Sequence, residues 1–283
     1  MIIDFRVRVP FRESENDPPV KTPSFMDQYN EQLQYEEKMN KPFPDLIKEM
    51  EESDIKFAVL HAEYEFGDMA EDLNKKASIL VKQYPDKFVG VATVDPRKGM
   101  DAVRHVEYAV KELGLRGLSL QPCFLNMRPT EPIFYPLYAK CVELDIPVCF
   151  HTGINFSKTH SIDPDRPIHL DRIACDFPEL KIVAAHAGWP WTGEMVAIAR
   201  KHSNVYMEFG AMAPKYIAHP RAGWDPMFQF MNSLLQDQVL FGTDWPMMSF
   251  DRAGEEFSNV GLKDTVVEKL LYKNAAQLMK INI

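Results

Sequence analysis

The sequence has few of the features that mark secreted, membrane-spanning or nucleic-acid-binding proteins. Its four cysteines (Cys123, Cys141, Cys149 and Cys175) include no CxxC pair, and no secretory apolar segment stands at the amino end. We therefore expect reduced thiols in a cytoplasmic protein. No apolar run approaches the roughly 18 residues that span a membrane. The formal net charge is −9 over 283 residues, with no run of Lys and Arg, which argues against a nucleic acid as partner.

What the sequence does contain is a regular alternation of short apolar segments and amphipathic segments. Apolar runs such as IKFAVLHA (55–62) and KFVGVATVD (87–95) are each followed by a helical pattern. Strands that alternate with helices pair in parallel, and continuously apolar strands are typical of sheets covered on both faces. No GxGxxG or P-loop follows any strand, which disfavours an open doubly wound sheet. Eight such units without a linker predict the α/β class and a single (β/α)8 TIM-barrel domain over 1–283.

The connection after the first predicted strand is unusually long. It covers about 12–48, is polar and charged, and carries a helical pattern within Met26–Glu52. Connections of this length are uncommon and are usually functional. We expect the segment either to cap the site or to meet a partner subunit, so a homo-oligomer stays open.

Polar side chains stand at the predicted carboxyl ends of the strands, where barrels of this kind hold their chemistry. The stretches CFHTG, AAHAGWPW and FGTDWP place His151, His186 and Asp244 at the ends of strands five, six and eight. A single histidine at a strand end is usually a hydrogen-bonded structural residue. Three such ends together predict a site. The other polar residues at strand ends are Arg6, Arg8, His61, Gln121 and Glu208.

Aromatic residues follow several of the same strand ends. Trp189 and Trp245 come directly after strands six and eight, and Tyr64 and Phe66 follow strand two. We expect the two tryptophans, together with Gln121, to contact a substrate in a largely apolar pocket. Core packing between loop and helix is the alternative for these aromatic residues.

The three strand-end motifs, with the helical run LDRIACDFPELKIVAAHAG that enters strand six, resemble the amidohydrolase superfamily. The branch they resemble includes aminocarboxymuconate semialdehyde decarboxylase and the resorcylate-type decarboxylases. The resemblance implies that His151 matches a metal ligand, His186 a histidine near the substrate, and Asp244 the aspartate of strand eight. It also implies two metal-binding histidines, one residue apart, where this chain has Arg6 and Arg8.

The two arginines alter the metal chemistry that the resemblance implies. A guanidinium group has no lone pair and stays protonated, so it cannot be a ligand, and its charge repels a dication. His151 and Asp244 alone are fewer than the three protein ligands of a typical catalytic zinc. We therefore expect either no metal or a weakly bound zinc or manganese ion at these two residues, with His61, Gln121 or Glu208 as further ligands.

Three functions stay open at this stage. The first is hydrolysis of a small carboxylated, anionic substrate, either a lactone, an ester or an amide, by an enzyme of the amidohydrolase kind. Arg6 and Arg8 would bind the anion and polarise a carbonyl, while Asp244 and either His186 or His151 act as base and acid. The second is a decarboxylase that uses a divalent metal. The third is a ligand-binding barrel without catalysis, in which the arginines belong to a structural ion-pair network.

Overall fold

The computed structural model describes residues 1–63 and 70–283 and confirms the predicted TIM barrel. Eight parallel strands follow one another in sequence order, and each pairs with the next. The barrel closes because the amide of Phe5 donates to the carbonyl of Phe241 (2.9 Å) and the amide of Arg8 to that of Trp245 (3.0 Å). The strands are β1 (Ile2–Arg8), β2 (Ile55–His61), β3 (Phe88–Thr93), β4 (Leu118–Leu120), β5 (Val148–Phe150), β6 (Ile182–Ala184), β7 (Val205–Glu208) and β8 (Val239–Leu240).

Helices lie between the strands and cover the barrel. Their apolar residues recur at helical spacing, as in α5, where Ala102, Val103, Val106 and Ala109 are buried. No helix of the described ranges is long and apolar enough to cross a membrane. The helices are α1 (Asp27–Leu33), α2 (Tyr35–Met39), α3 (Phe43–Glu52), α4 (Ala70–Gln83), α5 (Met100–Lys111), α6 (Tyr135–Glu143), α7 (Ile168–Asp176), α8 (Thr192–Lys201), α9 (Pro214–Ile217), α10 (Asp225–Met231), α11 (Phe250–Ser258), α12 (Asp264–Glu268) and α13 (Asn274–Met279).

The later strands are shorter than their apolar runs predict. The run 238–246, for example, contributes only Val239–Leu240 to the sheet. The rest of that run leaves the sheet and reaches Asp244, whose backbone adopts φ +56°. His151, His186 and Asp244 thus lie just after the ends of β5, β6 and β8, outside the sheet itself.

The long segment after β1 forms a cap over the carboxyl ends of the strands. Helices α1 and α2 belong to this cap, while α3 packs beside β2 as an ordinary barrel helix. Contact of the cap with a partner subunit stays a prediction. The apolar residues of the cap pack on loops that follow β4, β5 and β8, and the cluster comprises Met26, Tyr29, Tyr35 and Met39 of the cap with Phe124, Phe156 and Met247 of the loops.

Candidate active site

A cavity of about 230 Å³ lies between the cap and the carboxyl ends of the strands. An apolar cavity of about 150 Å³ holds benzene, so this cavity has room for a single substituted ring. Its polar base contains Arg8, His151, His186 and Asp244. Its walls are mainly apolar and include Tyr29, Leu33, Tyr35, Ile154, Phe156, Trp189, Met212, Met247 and Met248.

Four charged side chains form one ion-pair network at the base of the cavity. Nε of Arg6 donates to Oδ1 of Asp244 (3.2 Å), and Nε and Nη2 of Arg8 donate to its Oδ1 (3.0 Å) and Oδ2 (3.3 Å). Glu63 pairs with Nη2 of Arg6 and with Nη1 of Arg8, the latter at 2.7 Å. All four side chains are at most 7% exposed. Two positive and two negative charges therefore offset each other inside the barrel mouth.

Asp244 is ionised and tightly held within this network. Burial alone would raise the pKa of its carboxyl group, but the charges of Arg8 and Arg6 outweigh burial and lower the pKa to about 2. Its φ of +56° is uncommon for a residue other than glycine, and such strain is concentrated at functional sites. Both carboxylate oxygens accept hydrogen bonds from guanidinium groups. Asp244 is thus a weak base while the network is intact, and its role as general base stays a prediction.

His151 and His186 lie side by side, with their ring centroids 5.1 Å apart. Nδ1 of His186 donates to the carbonyl of Gly210 (2.7 Å), and Nδ1 of His151 contacts Oδ1 of Asp165 (2.7 Å). A carbonyl only accepts, so Nδ1 of His186 carries the proton and the opposite nitrogen, Nε2, keeps a lone pair. Burial, followed by repulsion from His151 and Arg6, lowers the pKa of His186 to about 3. His186 is therefore neutral at physiological pH.

Asp165 is a further candidate site residue, which the sequence did not indicate. Its side chain is fully buried, and Oδ2 accepts a hydrogen bond from Nδ2 of Asn155 (2.6 Å) while Oδ1 contacts His151. A carboxylate behind an imidazole fixes the tautomer and stabilises the protonated ring, as in hydrolytic triads. No strand-end motif marks Asp165, which lies in the loop after β5 and is brought to the site by the path of that loop.

Two further buried carboxyl groups lie next to the ion-pair network. Burial raises the pKa of Glu208 to about 8 and that of Asp4 to about 7. Oε1 of Glu208 accepts a hydrogen bond from the amide of Gly210, and its Oε2 has no partner among the described residues. A Cβ atom at Gly242 would overlap the Glu208 carboxyl group, so glycine makes room for it there. Asp4 accepts from Oγ1 of Thr243 (2.6 Å) and has a structural role.

Two predicted site residues, His61 and Gln121, are buried without lining the cavity. Nε2 of His61 donates to the carbonyl of Phe5 (2.8 Å), which leaves the lone pair on Nδ1, an atom with no partner in the described ranges. Burial, followed by the charge of Arg6, lowers the pKa of His61 to about 3. His61 is thus a neutral residue of the barrel interior, and contact of Gln121 with substrate stays a prediction.

The two predicted tryptophans have different positions. Trp189 lines the cavity as expected. Trp245 is buried outside the cavity lining, because its indole N–H donates to Oε2 of Glu49 (2.9 Å) on α3 and its ring stacks on another aromatic ring. Tyr64 and Phe66 lie outside the described residues. Of the two predicted tryptophans, Trp189 is therefore the one that lines the cavity.

The side chains at the base do not fit a divalent ion at the place that the resemblance implies. The oxygens of Asp244 already accept from two guanidinium groups, whose charges would repel the ion. The other carboxylate of the network, Glu63, already pairs with both guanidinium groups, so it is not free to join His151 and Asp244 as a third ligand. In the described part of the chain, two groups have metal-ligand spacing, namely Cys123, His151 and Asp165, and Asp171, Cys175 and His202, and neither contains Asp244.

Comparison with known proteins supports the assignment of the fold and the motifs. The curated gamma-resorcylate decarboxylase of Polaromonas sp. is 24% identical over 243 residues, which is 71% of this chain and 73% of that protein. The uncharacterised TIM-barrel protein Bb4693 of Bordetella bronchiseptica is similar in structure, with a TM-score of 0.77, 28% identity and coverage of 99% and 98% of the two chains. A dihydroxybenzoic acid decarboxylase of Polaromonas sp., solved with bound manganese and the inhibitor 2-nitroresorcinol, has a TM-score of 0.71 at 17% identity and covers 100% and 97%.

The family itself follows from a match over most of the sequence. A family model described as Amidohydrolase matches residues 30–281, which include all three strand-end motifs. This match and the barrel agree with the resemblance that the motifs predict. The chain belongs to the amidohydrolase family of enzymes.

Proposed function

We propose that this protein is a carboxy-lyase that removes CO2 from a small ring carboxylate with an adjacent hydroxyl group, and that it needs no resident metal ion. The observation that carries this proposal is the neutral His186. Its Nε2 keeps a lone pair, and the residue lines a cavity with mainly apolar walls and room for a single ring. The decarboxylases among the relatives support carboxy-lyase chemistry over the hydrolysis that the sequence reasoning put first.

The proposed reaction moves the hydroxyl proton of the substrate to a ring carbon, breaks one carbon–carbon bond and takes up a second proton from water. Nε2 of His186 accepts the hydroxyl proton of the substrate and passes it to the ring carbon that carries the carboxylate. The ring is then a β-keto carboxylate, which loses CO2 as the electron pair of the breaking bond moves to the ketone oxygen. The phenolate that forms takes up a proton from water. His186 is a weak base because its pKa is low, so it takes the hydroxyl proton as Arg8 stabilises the phenolate oxygen that forms. Its protonated form is then a strong acid, as delivery to carbon requires.

Arg8 supplies positive charge where the substrate oxygen becomes negative. It lines the cavity, and Asp244 and Glu63 fix its guanidinium group in place. Donors that are held before the reaction stabilise developing charge without reorganisation. Arg6 is 2% exposed and outside the cavity lining, so its proposed role is to position Asp244.

The apolar wall favours loss of the carboxylate as neutral CO2. An ionised carboxylate is costly to hold among apolar side chains, whereas CO2 carries no charge. Tyr29, Phe156, Trp189 and Met248 contribute this surface. The cavity therefore destabilises the reactant relative to the product, provided that other contacts supply the binding energy.

Hydrolysis of a small lactone or ester is the second candidate. The observation in its favour is the contact between His151 and the buried Asp165 (2.7 Å). A carboxylate in this position increases the ability of the opposite imidazole nitrogen to take a proton from water. In this reaction Arg8 would stabilise the tetrahedral oxyanion.

The test uses chelator-treated protein and ring acids labelled with carbon-13 in the carboxyl group. We expect labelled CO2 from an ortho-hydroxybenzoate and none from its para isomer, because the shuttle needs the hydroxyl group beside the carboxylate. His186→Gln should abolish release, while His219→Gln, at an exposed position outside the cavity, should leave it unchanged.

Three results would contradict the proposal in different ways. Equal release from the para isomer would refute the proton shuttle. Release that requires added manganese would refute metal independence. Cleavage of aryl lactones without any CO2 would replace the carboxy-lyase by the hydrolase, and loss of that cleavage in Asp165→Asn would identify the responsible residues.

A further inference from the structure

Two basic side chains line the cavity without belonging to the ion-pair network. Lys38 comes from α2 of the cap, and Arg252 comes from α11 after β8. Nζ of Lys38 contacts the carbonyl of Met247 at 3.5 Å and forms no ion pair within the described ranges. Since the charges of the network at the base offset each other, the ammonium group of Lys38 makes the net charge of the cavity lining positive.

Arg252 lines the same cavity and has a side-chain donor without a partner among the described residues. Its Nε donates to Oε1 of Glu256 (2.7 Å), whereas its Nη2 is buried and has no hydrogen-bond partner among the described residues. A buried donor without an acceptor is unfavourable. The Arg252 side chain is 41% exposed, so a ligand with an acceptor group that draws Nη2 out of its buried position removes this penalty.

Arg252 also stands at the junction with a second compartment. This second cavity, of about 370 Å³, shares Trp189 and Met212 with the first and continues along Tyr216 and Trp224. Arg252 lines both compartments. A group bound by Arg252 therefore lies where the two compartments meet.

We propose that Lys38 and Arg252 bind a second, non-reacting carboxylate, so that the substrate is a ring dicarboxylate. This inference rests on the proposed function. The apolar wall opposes binding of the reacting carboxylate, and binding energy from a remote group can offset that opposition. Lys38 and Arg252 supply it through charge-assisted hydrogen bonds. An anion that bridges α2 and α11 also holds the cap against the barrel.

The proposed pair of Lys38 and Arg252 is called the anchor below. Binding of an unreactive probe tests this anchor independently of catalysis. Isophthalate has two ring carboxylates and no hydroxyl group, and benzoate has only one carboxylate. By calorimetric titration we expect isophthalate to bind at least about tenfold more tightly than benzoate, since a charge-assisted hydrogen bond is worth about that factor. Lys38→Met and Arg252→Gln should each remove most of this preference. Lys48→Met, an exposed lysine of α3, should leave it unchanged.

The outcomes separate this inference from the proposed function. Equal affinities for isophthalate and benzoate, or an unchanged preference in both variants, would overturn the anchor. A preference that depends on Lys38 and Arg252 supports the anchor even where no CO2 is released, in which case only the proposed reaction fails. Both side chains are partly exposed, and unchanged thermal unfolding of the variants would show that the fold is intact.

Discussion

Glu208 makes the free energy of unfolding depend on pH, by an amount that can be calculated from its pKa. Its pKa is about 8 in the folded chain, because burial disfavours the ionised form, against an ordinary value of 4.5. Between these values the folded chain binds a proton that the unfolded chain lacks, so stability falls as the pH rises through this range. The slope is about 1.4 kcal/mol per pH unit. From pH 6.5 to pH 8 the loss from Glu208 alone is therefore about 1.5–2 kcal/mol.

The substitution Glu208→Gln should remove this part of the pH dependence. The amide oxygen can still accept from Gly210, and no group remains to ionise. The assay is urea unfolding at several pH values from 6.5 to 8, a window at and above the ordinary pKa of histidine. Asp4, with a pKa of about 7, also titrates in this window, so Glu208→Gln should reduce the slope without removing it. Glu255→Gln, at an exposed position, is the control and should keep the wild-type slope. Equal slopes for wild type and Glu208→Gln would refute the reasoning.

Two further predictions concern the packing of charged groups. Asp244→Asn leaves two buried guanidinium groups with one carboxylate, so we expect the free energy of unfolding to fall by about 3–5 kcal/mol. The control is Asp237→Asn, in an exposed ion pair, which should lower it by less than about 1 kcal/mol. A similar small loss for Asp244→Asn would show that the network is not a stabilising unit. Gly242→Ala places a Cβ against the Glu208 carboxyl group and should be destabilising by about 1–3 kcal/mol, whereas Gly193→Ala, with open space around it, should not be destabilising by denaturant titration. Unchanged stability of Gly242→Ala would mean that Glu208 moves freely.

The barrel and part of its site were predictable from local patterns. Continuous apolar runs mark strands that are covered on both faces, and His151, His186 and Asp244 stand where those runs end. Each of these residues lines the cavity in the structure. Their common position at the cavity follows from chain topology, because the parallel strands of a barrel bring their carboxyl ends together at one end.

The partners of the charged residues were not predictable in the same way. Glu63 and Asp165 follow strands β2 and β5 at no fixed spacing, and only the folded loops bring them to Arg8 and His151. The sequence therefore left open whether the two arginines bind an anion or belong to an ion-pair network, and the structure pairs them with Asp244 and Glu63. The same reason accounts for Trp245, whose indole turns away from the cavity to a hydrogen bond that no local pattern indicates.

We propose that the network of Arg6, Arg8, Asp244 and Glu63 takes the place of the metal ion that the family resemblance implies. The most direct test is metal analysis by mass spectrometry of protein expressed with zinc and manganese and desalted without chelator. The double variant Arg6→His/Arg8→His, which provides two imidazole ligands, is analysed in parallel. We expect the wild type to contain far less than one equivalent and the double variant to gain metal, because imidazole offers a lone pair and guanidinium does not. About one equivalent of tightly held metal in the wild type would contradict the claim.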